Sequence, residues 1–452
     1  MTAARKNMKQ IQEPARTVPV LAETDVLVVG GGPGGLAAAL AAAREGVDTM
    51  LVDRYGCFGG NITQAMVSSI AWYRYEKTIE GGGIGVEFEK RARAMGASQP
   101  ALLGELLDAD MFKVVADKMV QEAGIVPLLH CYAVSAIMEG DVIEGVVTES
   151  KSGRQAILAK RVIDASGDAD IACRAGAPYR QNPNEELMGV SVNFGCSGVD
   201  VNKFITYALE RPSRLGDWAN ETTGKEDDLF STWMVEPFEK AKQAGEIPED
   251  VWLEVFWGGF TEAGEATNLN ATYILGIDPT DVRDLTRAEM EGRQHVLWAV
   301  EALKKYAPGF ENARLRTFGS SLGVRESRKI IGAYDITGHD VRNEARFEDA
   351  IGIFPEFLDA YGIVIMPTTG RYFHVPYGII LPQKVENLLV AGRCVAGDKV
   401  SHAATRQMMC CTVTGQGAGV AAAVSLKDKV PCREVNIAKV RKALKKQGVR
   451  IE

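Results

Sequence analysis

The sequence predicts an α/β fold in which a discontinuous, Rossmann-like domain is interrupted by a mixed α+β insert. Three observations carry this expectation. A short apolar run enters a glycine turn at 25–35, a second run of the same form occupies 160–168, and a third occupies 385–393. Apolar runs that lead straight into glycine turns are the pattern of strands covered on both faces. The long interval between the second and third runs leaves room for the insert.

The first segment, Asp25-Val26-Leu27-Val28-Val29, reads as a buried strand. It enters Gly30-Gly31-Gly32-Pro33-Gly34-Gly35, which has dinucleotide-fingerprint spacing. Gly30 permits the tight turn, Gly32 lets backbone approach a pyrophosphate, and Gly35 lets the next helix sit close to the sheet. The alanine-rich stretch 36–44 is helix-forming, with its first amides facing the pyrophosphate. A second strand at 49–52 ends in Asp53, 23 residues after Gly30, where an acid accepts hydrogen bonds from a ribose; Arg54 follows. A further glycine turn at 56–63 carries Gly59 and Gly60.

A helix is expected at 110–123, stopped by Gly124. Strands at 125–129, 133–139, 142–149 and 155–159 are separated by Gly140-Asp141 and Ser152-Gly153, which fit antiparallel hairpins. Another short strand is expected at 160–164, followed by a turn carrying Asp168. After the strand at 385–391 and the loop beyond Arg393, the small-residue run 413–423 reads as a closing helix able to lie very close to a sheet or cofactor.

These segments resemble the two-dinucleotide-fold flavoproteins, the group that includes glutathione reductase and fumarate reductase. More narrowly, the chain resembles FAD-dependent oxidoreductases related to the flavoprotein part of heterodisulfide reductases. Residues 26–53 are similar to that family's N-terminal FAD motif and 161–170 to its second. Tyr377-Gly378-Ile379-Ile380-Leu381-Pro382 with 387–393 is similar to its C-terminal signature, and Gly323-Val324-Arg325-Glu326-Ser327-Arg328 to a further one. The resemblance implies non-covalent FAD. Gly30, Gly32, Pro33, Gly34, Gly35, Asp53 and Arg54 would serve the adenosine diphosphate half, and Gly59 and Gly60 the isoalloxazine end. Asp168, Gly392, Arg393, Gly415 and Gly419 complete the expected cofactor set. Lys399 departs from the common family form, in which many relatives carry histidine.

The implied organisation is a flexible arm over 1–20, FAD-binding parts at 21–184 and 319–452, and a substrate-covering domain at 185–318. Strands are expected at 188–196 and 251–257, and a long helix at 286–306. The tryptophans Trp218, Trp233, Trp252, Trp257 and Trp298 suit core packing or an aromatic wall over the cavity. The run 217–228 reads as a solvated loop.

Composition bounds the partners. The net charge of −8 gives nucleic acid no global attraction, and the basic run from Lys439 to Lys446 fits one exposed face of a terminal helix. No stretch reaches the ~18 consecutive apolar residues of a membrane span. The eight cysteines include no CxxC pair, which fits neither a zinc nor an iron–sulfur framework. A cytoplasmic homo-oligomer is expected. Cys57, lacking a CxxC partner, is a poor disulfide-exchange thiol.

The expected reaction is hydride transfer between flavin and a small, oxygenated molecule. A flavin monooxygenase and a flavin-bearing electron-transfer subunit with a separate partner are the alternatives, and NAD(P) enters only as a transient donor or acceptor. His374 and His402 are the acid/base candidates because imidazole exchanges protons near neutral pH. Arg406 is expected at the reactive face, with Arg325, Arg328 and Tyr377 at the substrate.

Overall fold

The computed structural model describes residues 9, 11–70, 77–101, 104–210 and 233–452. Trp218 and the run 217–228 lie outside the described residues, as do 1–8 and 10 of the expected arm; 11–18 are irregular and mostly exposed.

The main sheet has seven strands. Val20–Val29 lies between Thr49–Val52 and Gly153–Asp164, parallel to both, and Val126–Leu128 extends the parallel set beyond Thr49–Val52. Val26, Leu27 and Val28 are fully buried, as a two-sided covering requires. The expected strands at 155–159 and 160–164 are one continuous strand, Gly153–Asp164. Nothing in the sequence breaks it at Lys160, and its two halves have different partners on one edge. The first half pairs antiparallel with Val142–Ser150, which returns through a tight turn from Tyr132–Glu139; the second half pairs parallel with Leu388–Val390. The third apolar run thus completes the sheet started by the first two.

The helix Pro33–Arg44 starts with proline in its first turn and is buried from Pro33 to Ala42. Against it packs the closing helix Met408–Asp428, which begins earlier than expected and keeps 413–423 in its interior. Its length and hydropathy would suit a membrane span, but 94% of its apolar window is buried within the fold. Side chains are absent where the two backbones meet. A Cβ on Gly415 would lie 2.0 Å from the Gly34 carbonyl oxygen, and one on Gly419 2.1 Å from that of Ala38.

The insert has its own five-stranded sheet, in the order Trp233–Met234, Trp252–Phe260, Glu265–Tyr273, Phe194–Ser197, Arg314–Phe318. Its pairings are antiparallel. Alternating burial along Trp252–Phe260 turns Leu253, Val255 and Trp257 toward a separate core. There Phe204 meets Trp257 and Phe310 edge to face at 5.1 and 4.9 Å. The long helix Val282–Tyr306, capped by Asp281, covers this core with Ala288, Gly292, Val296, Ala299 and Leu303, a stripe of helical period. The strand expected at 188–196 is regular only at Phe194–Ser197, with isolated bridges at Val190 and Ser191. The basic C-terminal run lies on the helix Ile437–Lys446, where Lys439, Arg441 and Lys445 pair with Asp428 and Glu452.

Gly415→Ala is expected to separate the two packed helices and to lower stability by about 1–3 kcal/mol, the usual cost of overpacking. Urea denaturation of the purified protein measures this, and an unchanged midpoint would show that the two backbones tolerate a wider spacing.

Candidate active site

A cavity enclosing about 1090 Å³, including space continuous with solvent, lies at the C-terminal ends of the parallel strands, the usual ligand position in open α/β sheets. Its lining joins the turns after three strands, at Gly30, Asp53 and Ala165, to Gly60, Gln64, Leu322, Val324, Gly392, Arg393 and Arg406.

Local chemistry holds each turn. Gly30 has φ +104°, and a Cβ there would lie 2.4 Å from the Ala165 carbonyl oxygen. A Cβ on Gly35 would lie 1.7 Å from the Gly30 oxygen, so the helix is pressed onto the turn. Gly32 differs: its φ is −71°, and its missing Cβ points to space where the nearest atom is Gly60 Cα, 3.8 Å away. Packing therefore does not require glycine at 32, which borders an open cradle. The adjoining amides of the first helical turn have no intrahelical acceptor. Asp53 is buried, with its carboxylate accepting from Gly31 N at 2.5 Å and Tyr55 N at 2.8 Å. Each oxygen keeps a lone pair for a further donor.

The second motif is organised by an acid that the sequence reading did not single out. Asp164 is fully buried and accepts from the Ser166 hydroxyl at 2.6 Å and from Ile171 N and Ala172 N at 2.8 Å. Asp168 accepts from Ser327 Oγ at 2.6 Å and from Arg393. Arg393 also donates to the carbonyl oxygens of Gly167, at 3.0 Å, and Val324. This arginine ties the two later glycine turns to the 323–328 segment.

A family model described as "FAD dependent oxidoreductase" matches residues 25–444. The chain belongs to this family. Thiamine thiazole synthases of Methanococcus vannielii and Methanococcus maripaludis are 35% identical over 171 residues and 33% identical over 186. Those alignments take in 33% and 37% of this flavoprotein chain, which spans 59% and 65% of those relatives' lengths. Among solved structures, a geranylgeranyl bacteriochlorophyll reductase-like protein of Thermoplasma acidophilum is similar at TM-score 0.47 and 16% identity, covering 95% of this chain and 85% of that one. A p-nitrophenol 4-monooxygenase of Pseudomonas putida gives 0.44 and 12%, covering 93% and 83%. A flavin-dependent brominase gives 0.47 and 12%, covering 94% and 83%.

Of the cofactor residues expected from the flavoprotein motifs, Gly30, Gly32, Pro33, Gly34, Asp53, Arg54, Gly60, Asp168, Gly392 and Arg393 line the cavity. Gly35 packs beneath its floor. Gly59 turns its Cα toward Thr63, and Gly415 and Gly419 face the helix Pro33–Arg44, so these three serve chain packing.

Arg406 lines the cavity, donating to Asp359 Oδ2 at 3.1 Å and to the Asp359 carbonyl oxygen. Arg325 is not itself among the lining residues, though the adjacent Val324 is; its guanidinium lies 4.7 Å from the Tyr273 ring centroid and within electrostatic reach of Arg406. Arg328 does not join them: it pairs with Asp170 at 2.5 Å. Tyr377 is buried with its hydroxyl donating to the Cys432 carbonyl oxygen at 2.8 Å, away from the cavity lining. His374 is likewise displaced. It sits on the strand Tyr372–Pro376, where Nδ1 accepts from Phe347 N at 3.0 Å. Of the two readings of the tryptophans, core packing fits Trp257, which lies in the insert's core; Trp298 stacks on His295 and Trp252 is exposed, and none of these three is in the lining.

His402 is close to the site but committed to structure. It is 1% exposed on the short helix Lys399–Thr405, and Nε2 lies 3.1 Å from the Arg325 carbonyl oxygen. A carbonyl only accepts, so the proton is on Nε2. Burial, reinforced by Lys329, Arg406 and Arg393, holds the imidazole well below its ordinary pKa. The folded chain keeps His402 neutral while the unfolded chain protonates near pH 6.5. Stability from this source is therefore present above that pH and lost as pH falls through it. His402→Gln, which retains an N–H donor, is expected to flatten the decline between pH 7 and 5 by up to about 1.4 kcal/mol per pH unit. Urea midpoints at both pH values test this; parallel wild-type and variant curves would refute it.

Proposed function

We propose that FAD is held non-covalently in the cavity, with Gly32, Pro33 and Gly34 against its pyrophosphate and Asp53 toward the ribose. Arg54, Gly60, Asp168, Gly392 and Arg393 supply the remaining contacts. The open cradle at Gly32 supports this reading, because a residue free to carry a side chain without a clash is nevertheless glycine. Gly32→Ala is expected to fold with an unchanged apoprotein melting temperature and to lose most of its FAD, measured as heat-released flavin per chain. Full FAD occupancy in that variant would remove the cradle from the cofactor assignment.

Bound FAD supplies two-electron redox chemistry, leaving the chain to select the substrate and manage protons. Residues 185–318 are assigned here as the substrate-covering unit. Its support is direct bonding to the cavity segment: Asn193 Nδ2 donates to the Met66 carbonyl oxygen at 3.2 Å, and Gly319 N donates to that of Asn193 at 2.9 Å.

Of the reaction types the sequence left open, oxygen-dependent turnover is the better supported. Direct hydride transfer calls for a base at the substrate, and both expected histidines are engaged elsewhere, His374 with Phe347 and His402 with Arg325. Oxygen insertion relieves the protein of abstracting a substrate proton and needs an external reductant, the role kept for transient NAD(P)H. NAD(P)H, a proton, dioxygen and the substrate then yield NAD(P)+, oxygenated product and water.

The test is oxygen uptake by the holoprotein with NAD(P)H across a metabolite panel, followed by mass analysis of products formed under labelled dioxygen. Substrate-dependent uptake with label in the product is expected, and His374→Gln is expected to leave the rate unchanged. Anaerobic bleaching of the flavin by a metabolite alone, with no label in the product, would instead establish hydride transfer. Flavin reduction only by a protein partner would establish an electron-transfer subunit.

A further inference from the structure

We propose that the substrate carries a carboxylate, seated between Arg325 and Arg406. The inference rests on the reading of this cavity as a substrate site, and it begins with an imbalance of charge. Neighbouring arginines have carboxylate partners: Arg328 has Asp170, Arg393 has Asp168 and Arg406 has Asp359. Arg325 has none within ion-pair distance among the described residues. Its Nη1 donates to the Gly189 carbonyl oxygen and to Ser191 Oγ, both at 2.7 Å, and Nη2 reaches Asn270 Oδ1 only at 3.5 Å. These are neutral acceptors, and the last is at the limit of a hydrogen bond.

A half-buried guanidinium held this way has lost part of its water without gaining a direct carboxylate contact. Burial accordingly pushes its pKa down, with Tyr273, Asp359 and Glu254 opposing and Arg406 adding to the fall. Neither acid neutralises Arg325 by direct contact. Asp359 is bonded by Arg406, while Glu254 acts on Arg325 at longer range. Arg406 also keeps a donor in reserve, since its buried Nε has no partner.

The fold fixes the two cations relative to each other. His402 donates to the Arg325 backbone, and Arg406 follows one turn later along the same chain segment. His402 is thus a positioning residue that couples the Arg325 backbone to the segment carrying Arg406. Tyr273 beneath the Arg325 guanidinium and Asn270 beside it both belong to Glu265–Tyr273 of the insert, so the insert contributes to the anion seat. A planar carboxylate matches the fork of arginine donors and would supply the missing charge.

The test uses purified holoprotein titrated with acetate, benzoate and succinate and with the corresponding neutral amides, followed by flavin absorbance and thermal shift. At least one carboxylate is expected to bind saturably and its amide about 30-fold or more weakly. Arg325→Met is expected to abolish that preference with FAD retained, and Arg325→Lys to keep part of it. A merely structural Arg325 would lower the melting temperature in both variants without changing the carboxylate-to-amide ratio. If Arg325→Met does not fold, Arg325→Lys and Arg406→Met carry the test, each expected to reduce the ratio. Equal binding of acids and amides, no carboxylate binding, or an unchanged ratio in the folded variants would overturn the proposal. A neutral substrate emerging from the oxygen-uptake screen would overturn it while leaving the oxygen-dependent reading intact; carboxylate binding with hydride transfer would do the reverse.

Discussion

Two backbones can touch only where neither carries a side chain between them, and the packing around Pro33–Arg44 is built on that constraint. On one side Gly35 lets the helix press on the Gly30 turn, and on the other Gly415 and Gly419 admit the closing helix to the carbonyl oxygens of Gly34 and Ala38. Gly34 itself approaches the Gly392 backbone, where a Cβ would lie 3.1 Å away. The first, second and third apolar runs are thereby drawn to one place, and the cavity is what remains between their turns. Glycine weakens an isolated helix, so the closing helix depends on this contact as much as the contact depends on its glycines.

Buried acids then set the turns. Asp53 fastens the first glycine loop through Gly31 N, and Asp164 gathers the amides beyond the second strand. Burial pushes both carboxyls upward, while hydrogen bonds from backbone amides oppose it. Arg393 joins the second and third turns by spanning Asp168, Gly167 and Val324. Backbone satisfaction and one shared guanidinium give this end of the cavity a defined shape before any ligand enters.

Around His402 the cations Arg393, Arg406 and Lys329 each meet a carboxylate, whereas Arg325 has no direct carboxylate contact among the described residues. His402, deprived of water and ringed by Lys329, Arg406 and Arg393, stays neutral and holds the Arg325 backbone. Its value lies in a fixed N–H, since its titration is displaced out of the neutral range. The buried Nε of Arg406 and Nδ1 of His402 are left without a partner here.

The sequence by itself determined the cofactor half of the protein. Gly30 and Gly35 obey a local rule, because tight turns and close approaches exclude side chains wherever they occur, and the apolar runs identify covered strands by composition alone. The insert's helix and alternating strand were legible for the same reason, as 3.6- and two-residue periods. Tertiary structure decided what spacing cannot encode. It fused 153–164 into one strand because two different partners share its edge, and it assigned Gly415 and Gly419 to helix packing because Gly34 and Ala38 arrive from the far end of the chain. His374 and Tyr377 stood beside a signature yet face Phe347 and Cys432, whereas Tyr273, Asn270 and Asp359 carried no motif and meet Arg325 and Arg406. Which polar group is spent on the protein and which is left for a substrate depends on partners tens of residues away in sequence, and only the folded chain brings them within hydrogen-bond reach.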